Sequence, residues 1–129
     1  MTLSLSDVKD GSQIDVLVVG AGMVGASTAI GLAKMGLNIL VVDAFQFPQE
    51  IPEYTPSYDE RSTALSWGTR GILTDLDVWH EVEKRACPIT DIHVSEKGRF
   101  GTARMSAAEY KQAALGYVVP NQWLGRCLL

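Results

Sequence analysis

Three glycines and one carboxylate are the residues whose types and spacing could do chemistry in this chain. Gly20, Gly22 and Gly25 stand in the spacing G-x-G-x-x-G, and Asp43 follows about 20 residues after the turn. Gly20 permits a tight turn, Gly22 lets a pyrophosphate approach bare backbone, and Gly25 lets a helix pack close to its strand. Ala21, Met23 and Val24 complete the turn, where a starting helix turns its unpaired N–H groups and positive dipole end toward phosphates. Asp43, with Ala44 beside it, stands where an acid bonds the ribose hydroxyls of an adenosine. That chemistry is the holding of a dinucleotide.

These residues need a strand, a helix and a second strand to position them. Val16 to Val19 is short, apolar and β-branched, as a buried parallel strand should be. The helix after the turn has small Ala29 at its crossing point, Leu32 and Ala33 on its apolar stripe, and Gly36 at its end. Leu37 to Val42 forms the second strand and delivers Asp43 at its tip. A plain strand–helix–strand unit with no ligand is the alternative reading of the same pattern.

Composition excludes several other classes. The chain has 129 residues, enough for one domain, and a net charge of −4 that argues against a nucleic-acid surface. Cys87 and Cys127 fit neither a C-x-x-C motif nor zinc spacing, and are expected as buried or semi-buried reduced thiols in a cytoplasmic protein. No run reaches the ~20 apolar residues of a membrane span. Residues 1–13 lack a signal peptide's basic start and apolar core, and read as a flexible polar lead-in. No Ser-His-Asp, metal or paired-carboxylate constellation is present. His80 lies among charged residues, and His93 is expected to pack in a strand.

After Asp43, Ala44 to Tyr58 carries Pro48, Pro52 and Pro56 without periodicity and is expected to be a mobile loop. Arg61 to Leu65 reads as a short extended piece. Ser66 then caps a helix whose apolar face uses Trp67, Ile72, Leu73 and Leu76. A second short helix is expected over 78–86, with Trp79 and Val82 inward and Pro88 ending it. Trp67 and Trp79 read as core anchors. Period-two patterning at 91–95 and 103–105 around Lys97-Gly98 predicts a hairpin, followed by a helical turn at 107–114. Gly116 to Val119 is strand-like. Asn121 then reads as the N-cap of a final helix with Leu124, Cys127 and Leu128 on one face. That helix stops uncapped at Leu129, so the chain is expected to be a fragment.

With these residues in view, the chain from Ile14 onward resembles the N-terminal third of the flavin-dependent aromatic hydroxylases of ubiquinone biosynthesis. The likeness rests on the glycine turn with Asp43, on DERSTALSWGTRGIL from Asp59, and on ALGYVVPNQWLGR from Ala114. The segment from Pro88 to Val119 looks closest to the branch acting on 2-octaprenyl-6-methoxyphenol. The resemblance implies an α/β fold: an incomplete Rossmann-like FAD-binding domain of the aromatic-hydroxylase type, with a β-hairpin excursion from the substrate domain. On that plan 14–89 and 116–129 belong to the FAD-binding domain and 90–115 to the hairpin.

The same resemblance implies FAD rather than NAD on the turn, with NAD(P)H as reductant. Asp43 would bond the ribose, where most of the wider group carries glutamate. Arg61 would lie along the diphosphate and ribityl chain, and either Asn121 or Arg126 would contact that chain too. The family hydroxylates a polyprenylated phenol through a flavin C4a-hydroperoxide, so no catalytic side chain is expected here. The family's second flavin motif lies beyond residue 129, which implies weak or absent FAD binding, no activity, and exposed apolar edges that invite self-association. Other ubiquinone-biosynthesis proteins are implied as partners, and contact with the inner membrane is implied by the greasy substrate alone. Two alternatives stay open: an NAD-dependent dehydrogenase, and a non-catalytic nucleotide-binding module.

Overall fold

The computed structural model describes residues 13–44 and 61–129. The polar lead-in before Gln13 and the Pro-rich stretch after Ala44 lie outside the described residues.

The first unit forms as the sequence pattern requires. Strand β1 (Val16–Val19) and strand β2 (Ile39–Val42) pair in parallel, with Val16 beside Ile39 and Val19 beside Val42. Helix α1 (Met23–Lys34) crosses between them and buries Ala26 and Ala29. Leu37 N–H donates to Leu32 O (3.4 Å), past Gly36 at φ +84°, and this ends the helix. Asp15 brackets the pair from outside, its carboxylate accepting from the Asn38 N–H at 2.8 Å.

Two expectations for this unit fail. β1 was expected to be buried on both faces, but its exposure alternates, and Leu17 and Val19 are 56% and 78% exposed. The helix covers only the Val18 side, and nothing among the described residues covers the other. Ala33, expected on the apolar stripe, is exposed as well.

A second sheet is antiparallel. Strand β3 (Ser62–Ser66) runs into helix α2 (Trp67–Asp75), and the Ser66 hydroxyl accepts from the Thr69 N–H at 3.1 Å, as an N-cap does. Helix α3 (Trp79–Val82) is a single turn. It passes into a 3₁₀ turn (Glu83–Arg85) and then strand β4 (Cys87–Ile89). The helix expected over 78–86 is therefore shorter, and Pro88 lies inside a strand instead of after a helix. Proline forces the preceding backbone to extend, and β4 is an edge strand, where a missing N–H is tolerated. Strand β7 (Gly116–Pro120) lies between β3 and β4, with Val118 beside both Ala64 and Cys87.

Strands β5 (Asp91–Ser95) and β6 (Thr102–Ser106) form the expected hairpin, turning near Gly98 at φ +83°. It is a two-stranded ribbon with Val94 56% exposed, and His93 stands exposed rather than packed. Residues 107–112 form a hydrogen-bonded turn, closed by Gln112 N–H to Ala107 O at 3.0 Å.

Helix α4 (Asn121–Leu128) closes the described chain and buries Leu124 and Leu128. The core gathers between α1, α2, α3, β7 and α4, centred on fully buried Val82 and Val119 with Ala26, Leu65, Leu73, Trp79, Leu124 and Leu128 around them. Trp79 is an anchor as expected, 5% exposed and edge-on to Tyr117 at 4.8 Å. Trp67 is only half-buried and stacks on the same tyrosine. Ile72 was expected inward but is 60% exposed, because Leu73 and Leu76 take the core side of α2. Among the described residues no helix is long and apolar enough to cross a membrane.

Candidate functional site

The glycine turn is built by three contacts, each forced by a residue type. Gly20 sits at φ +96°, a left-handed conformation that a side chain resists, and its N–H donates to Val42 O at 2.7 Å. That bond ties the end of β1 to the end of β2. Gly25 faces the turn from α1. A Cβ there would stand 1.9 Å from Gly20 O, so only glycine lets the helix lie this close.

Gly22 begins α1 with extended backbone, and a Cβ there would meet nothing within 4 Å among the described residues. No side chain caps α1, and its first turn carries no acid. Among the described residues, no atom occupies the space that a Cβ at Gly22 would enter. Val24 is 81% exposed on its outer side, while Met23 packs inward against the core. The residues fit a dinucleotide's pyrophosphate: an uncapped helix start, open space at Gly22, and backbone within reach.

Asp43 is aimed at the turn. Its Oδ2 accepts from the Ala21 N–H at 2.6 Å, and Ala21 is only 6% exposed. Ala44 beside it is exposed. The structure thus brings Gly20 to Gly25 and Asp43 into one place.

The other named residues form two further groups. Arg61 and Asn121 are neighbours, since the Asn121 N–H donates to Arg61 O at 2.9 Å. Asn121 was expected to cap α4. Instead Pro120 occupies the cap position and Asn121 is the first helical residue. Its side-chain oxygen accepts from the Thr63 hydroxyl at 2.5 Å and stitches the start of α4 to β3. Arg126 stands in the last turn of α4, with its guanidinium 5.6 Å from the Trp123 ring. Arg85 lies over the same ring at 4.5 Å, and the Trp123 indole N–H donates to Glu81 O at 3.1 Å. Of the two candidates on α4, Asn121 is the one joined to Arg61.

Sequence reasoning missed several of these contacts. Thr63 gave no signal before its partner across the sheet was known. Arg70 stacks over both Trp67 and Trp79, at 5.2 and 5.7 Å. Its three-residue spacing from Trp67 could have suggested the first contact.

The cysteines differ from expectation in one respect. Both are unbridged, but Cys87, on the edge strand β4, is exposed rather than semi-buried. Cys127 is half-buried, and burial, helped by the Glu81 carboxylate, pushes its thiol up to about 11. That thiol stays protonated at neutral pH, which suits packing and not nucleophilic attack. Among the described residues no three His, Cys, Asp or Glu side chains gather as metal ligands would.

Comparison with known proteins agrees with this geometry. Residues 15–126 match the family model described as FAD dependent oxidoreductase. Ubiquinone hydroxylase UbiL of Rhodospirillum rubrum is 32% identical over 117 residues, covering 89% of this chain and 26% of the relative. The 3-demethoxyubiquinol 3-hydroxylase of Escherichia coli is 32% identical over 117 residues, covering 88% of this chain and 29% of the relative. The chain thus spans roughly a quarter of the length of these two curated relatives.

Among solved structures, p-nitrophenol 4-monooxygenase PnpA from Pseudomonas putida superposes with a TM-score of 0.66 at 22% identity, over 89% of this chain and 28% of that one. The flavin-dependent monooxygenase PieE, solved with FAD and substrate, superposes with a TM-score of 0.57 at 22% identity, over 90% of this chain and 22% of that one. At such identities the likeness is one of fold.

Proposed function

The chain belongs to the FAD-dependent oxidoreductases, with an α/β Rossmann-like FAD-binding fold, and on that premise we propose that it is the nucleotide-binding part of a monooxygenase that hydroxylates a polyprenylated phenol in ubiquinone biosynthesis. The observation that carries this reading is the turn at Gly20 to Gly25, open at Gly22 among the described residues and met by the Asp43 carboxylate. The ubiquinone hydroxylases among its relatives support the substrate class.

In this reading the turn from Gly20 to Gly25 holds the pyrophosphate of FAD by main-chain N–H groups. Asp43, with Ala44 beside it, takes the adenosine ribose. Arg61, held by its main-chain bond to Asn121, lies along the diphosphate and ribityl chain. Asn121 is favoured over Arg126 for the remaining contact, because Arg126 rests on Trp123 at the far end of α4. FAD, when bound, supplies the electron storage and oxygen activation that insert one oxygen atom into an electron-rich ring. NAD(P)H is the proposed reductant.

The β5–β6 hairpin is proposed to belong to the substrate sheet of the longer protein. The whole enzyme is placed in the cytoplasm with peripheral contact at the inner membrane, where a polyprenylated phenol resides, and beside other proteins of the same pathway. The 129-residue chain alone is proposed to be inactive and to bind FAD weakly. A nicotinamide dehydrogenase built on the same turn is disfavoured by the next described strand, because β3 joins a separate antiparallel sheet instead of extending β1–β2.

Parallel titrations of the chain with FAD and with NAD⁺, following backbone amide resonances, test the reading. FAD is expected to shift the amides of Gly20 to Gly25 at lower concentration than NAD⁺ does. Unmoved amides at saturating FAD, or tighter binding of NAD⁺, would defeat the assignment. A tight, stoichiometric yellow complex would instead overturn the weak binding proposed for the isolated chain.

A further inference from the structure

We propose that Asp43 is a positioning residue for the glycine turn, fixing its binding shape before any nucleotide arrives, in addition to meeting a sugar. The proposal deepens the dinucleotide reading and rests on it for the purpose of the turn, while the bond from Ala21 to Asp43 stands on geometry alone.

Two successive amides tie the turn to the end of β2. The Gly20 N–H donates to Val42 O at 2.7 Å, and the Ala21 N–H donates to Asp43 Oδ2 at 2.6 Å. The first bond is main chain to main chain and continues the parallel ladder. The second uses an acceptor supplied by the side chain at position 43. Ala21 is 6% exposed, so water is a poor substitute for that acceptor.

An N–H that donates to a carboxylate oxygen makes a bond stronger than its neutral counterpart. The bond from Ala21 is made at the most permissive part of the chain, where Gly20 and Gly22 flank Ala21 and each glycine loses much conformational freedom on ordering. One bond at Gly20 fixes where the turn begins. The bond at Ala21 fixes how it enters Gly22, and hence where the uncapped amides that open α1 are aimed.

Side-chain length matters in this geometry. Aspartate reaches the Ala21 amide directly from the tip of β2, whereas glutamate carries an extra methylene that must fold aside. A carboxamide at the same length keeps an oxygen acceptor and loses the charge.

Amide hydrogen exchange of the nucleotide-free chain tests the proposal, in the unsubstituted protein and in Asp43→Ala, Asp43→Asn and Asp43→Glu. Ala21 is expected to be protected in the unsubstituted chain and to exchange between about tenfold and a hundredfold faster in Asp43→Ala, the size of losing one bond to a charged acceptor. Asp43→Asn is expected to recover much of that protection and Asp43→Glu less. The amide of fully buried Val119 is the control for the fold and should not change.

Unprotected Ala21 in the unsubstituted chain, or equal protection in Asp43→Ala, would overturn the proposal. So would Val119 loosening as much as Ala21, which would make Asp43 a requirement of the whole fold. If Ala21 loosens alone while FAD leaves Gly20 to Gly25 unmoved, the positioning role stands and the nucleotide reading falls.

Discussion

At the scale of single residues, the three glycines of one motif do different work, and substitution should separate them. An added Cβ at Gly25 would stand 1.9 Å from a main-chain oxygen that cannot swing aside. Gly25→Ala must therefore push α1 off β1, and a loss of about 3 kcal/mol is expected in urea denaturation. Gly22 has space around it and ordinary backbone angles. Gly22→Ala should leave stability within about 0.5 kcal/mol while filling the room proposed for the pyrophosphate, so its effect should appear in FAD titration instead. The need for glycine at position 25 was legible in the sequence, because its constraint comes from Gly20 a few residues away. The partner that Asp43 finds in Ala21 was not, since a carboxylate at a strand tip has many possible donors and only folded geometry selects one.

At the scale of elements, α1 and α2 are joined by a contact that no local pattern announces. Lys34, in the last turn of α1, donates to Asp75 O at 2.6 Å and pairs with the Asp77 carboxylate just past the end of α2. Asp77 sits at φ +60°, a conformation that aspartate and asparagine tolerate. The bond from Lys34 holds the Asp77 carboxyl below its ordinary value of 3.8, with the lysine's charge adding to the effect. A lowered carboxyl stabilises the fold fully above its ordinary value and loses that contribution as pH falls through its folded value. Asp77→Asn should therefore melt below the unsubstituted chain at pH 7. That gap should close as acid takes the pH below 3.8, and should narrow in high salt. Thermal melts across pH and ionic strength measure it.

At the scale of the whole molecule, the described chain buries one core and leaves apolar surface elsewhere. Leu17 and Val19 on the face of β1 away from α1, and Val94 on the hairpin, are each more than half exposed. A two-stranded sheet with one bare face is a poor end state in water. Sedimentation velocity is expected to show concentration-dependent association of the chain, and Leu17→Lys is expected to shift it toward monomer. A monomer at every concentration tested would contradict this. The hairpin itself was legible from its period of two and its Lys97-Gly98 turn. The exposure of Leu17, Val19 and Ile72 was not, because periodicity identifies which residues share a face but not whether anything covers that face.

The sequence by itself determined the strand–turn–helix–strand unit, the glycine turn, the Ser66 cap and the hairpin. Each depends on steric and hydrogen-bonding rules that act within a few residues, or on a repeat that fits one backbone geometry. Only tertiary structure decided that Asn121 binds Thr63 instead of capping its own helix, and that Cys87 to Ile89 becomes an edge strand of a second sheet. It also decided that Asp43 closes on Ala21. Those outcomes turn on which distant segments arrive at a given donor, acceptor or sheet edge, and a burial or hydrogen-bond requirement is satisfied by position in space rather than by order along the chain.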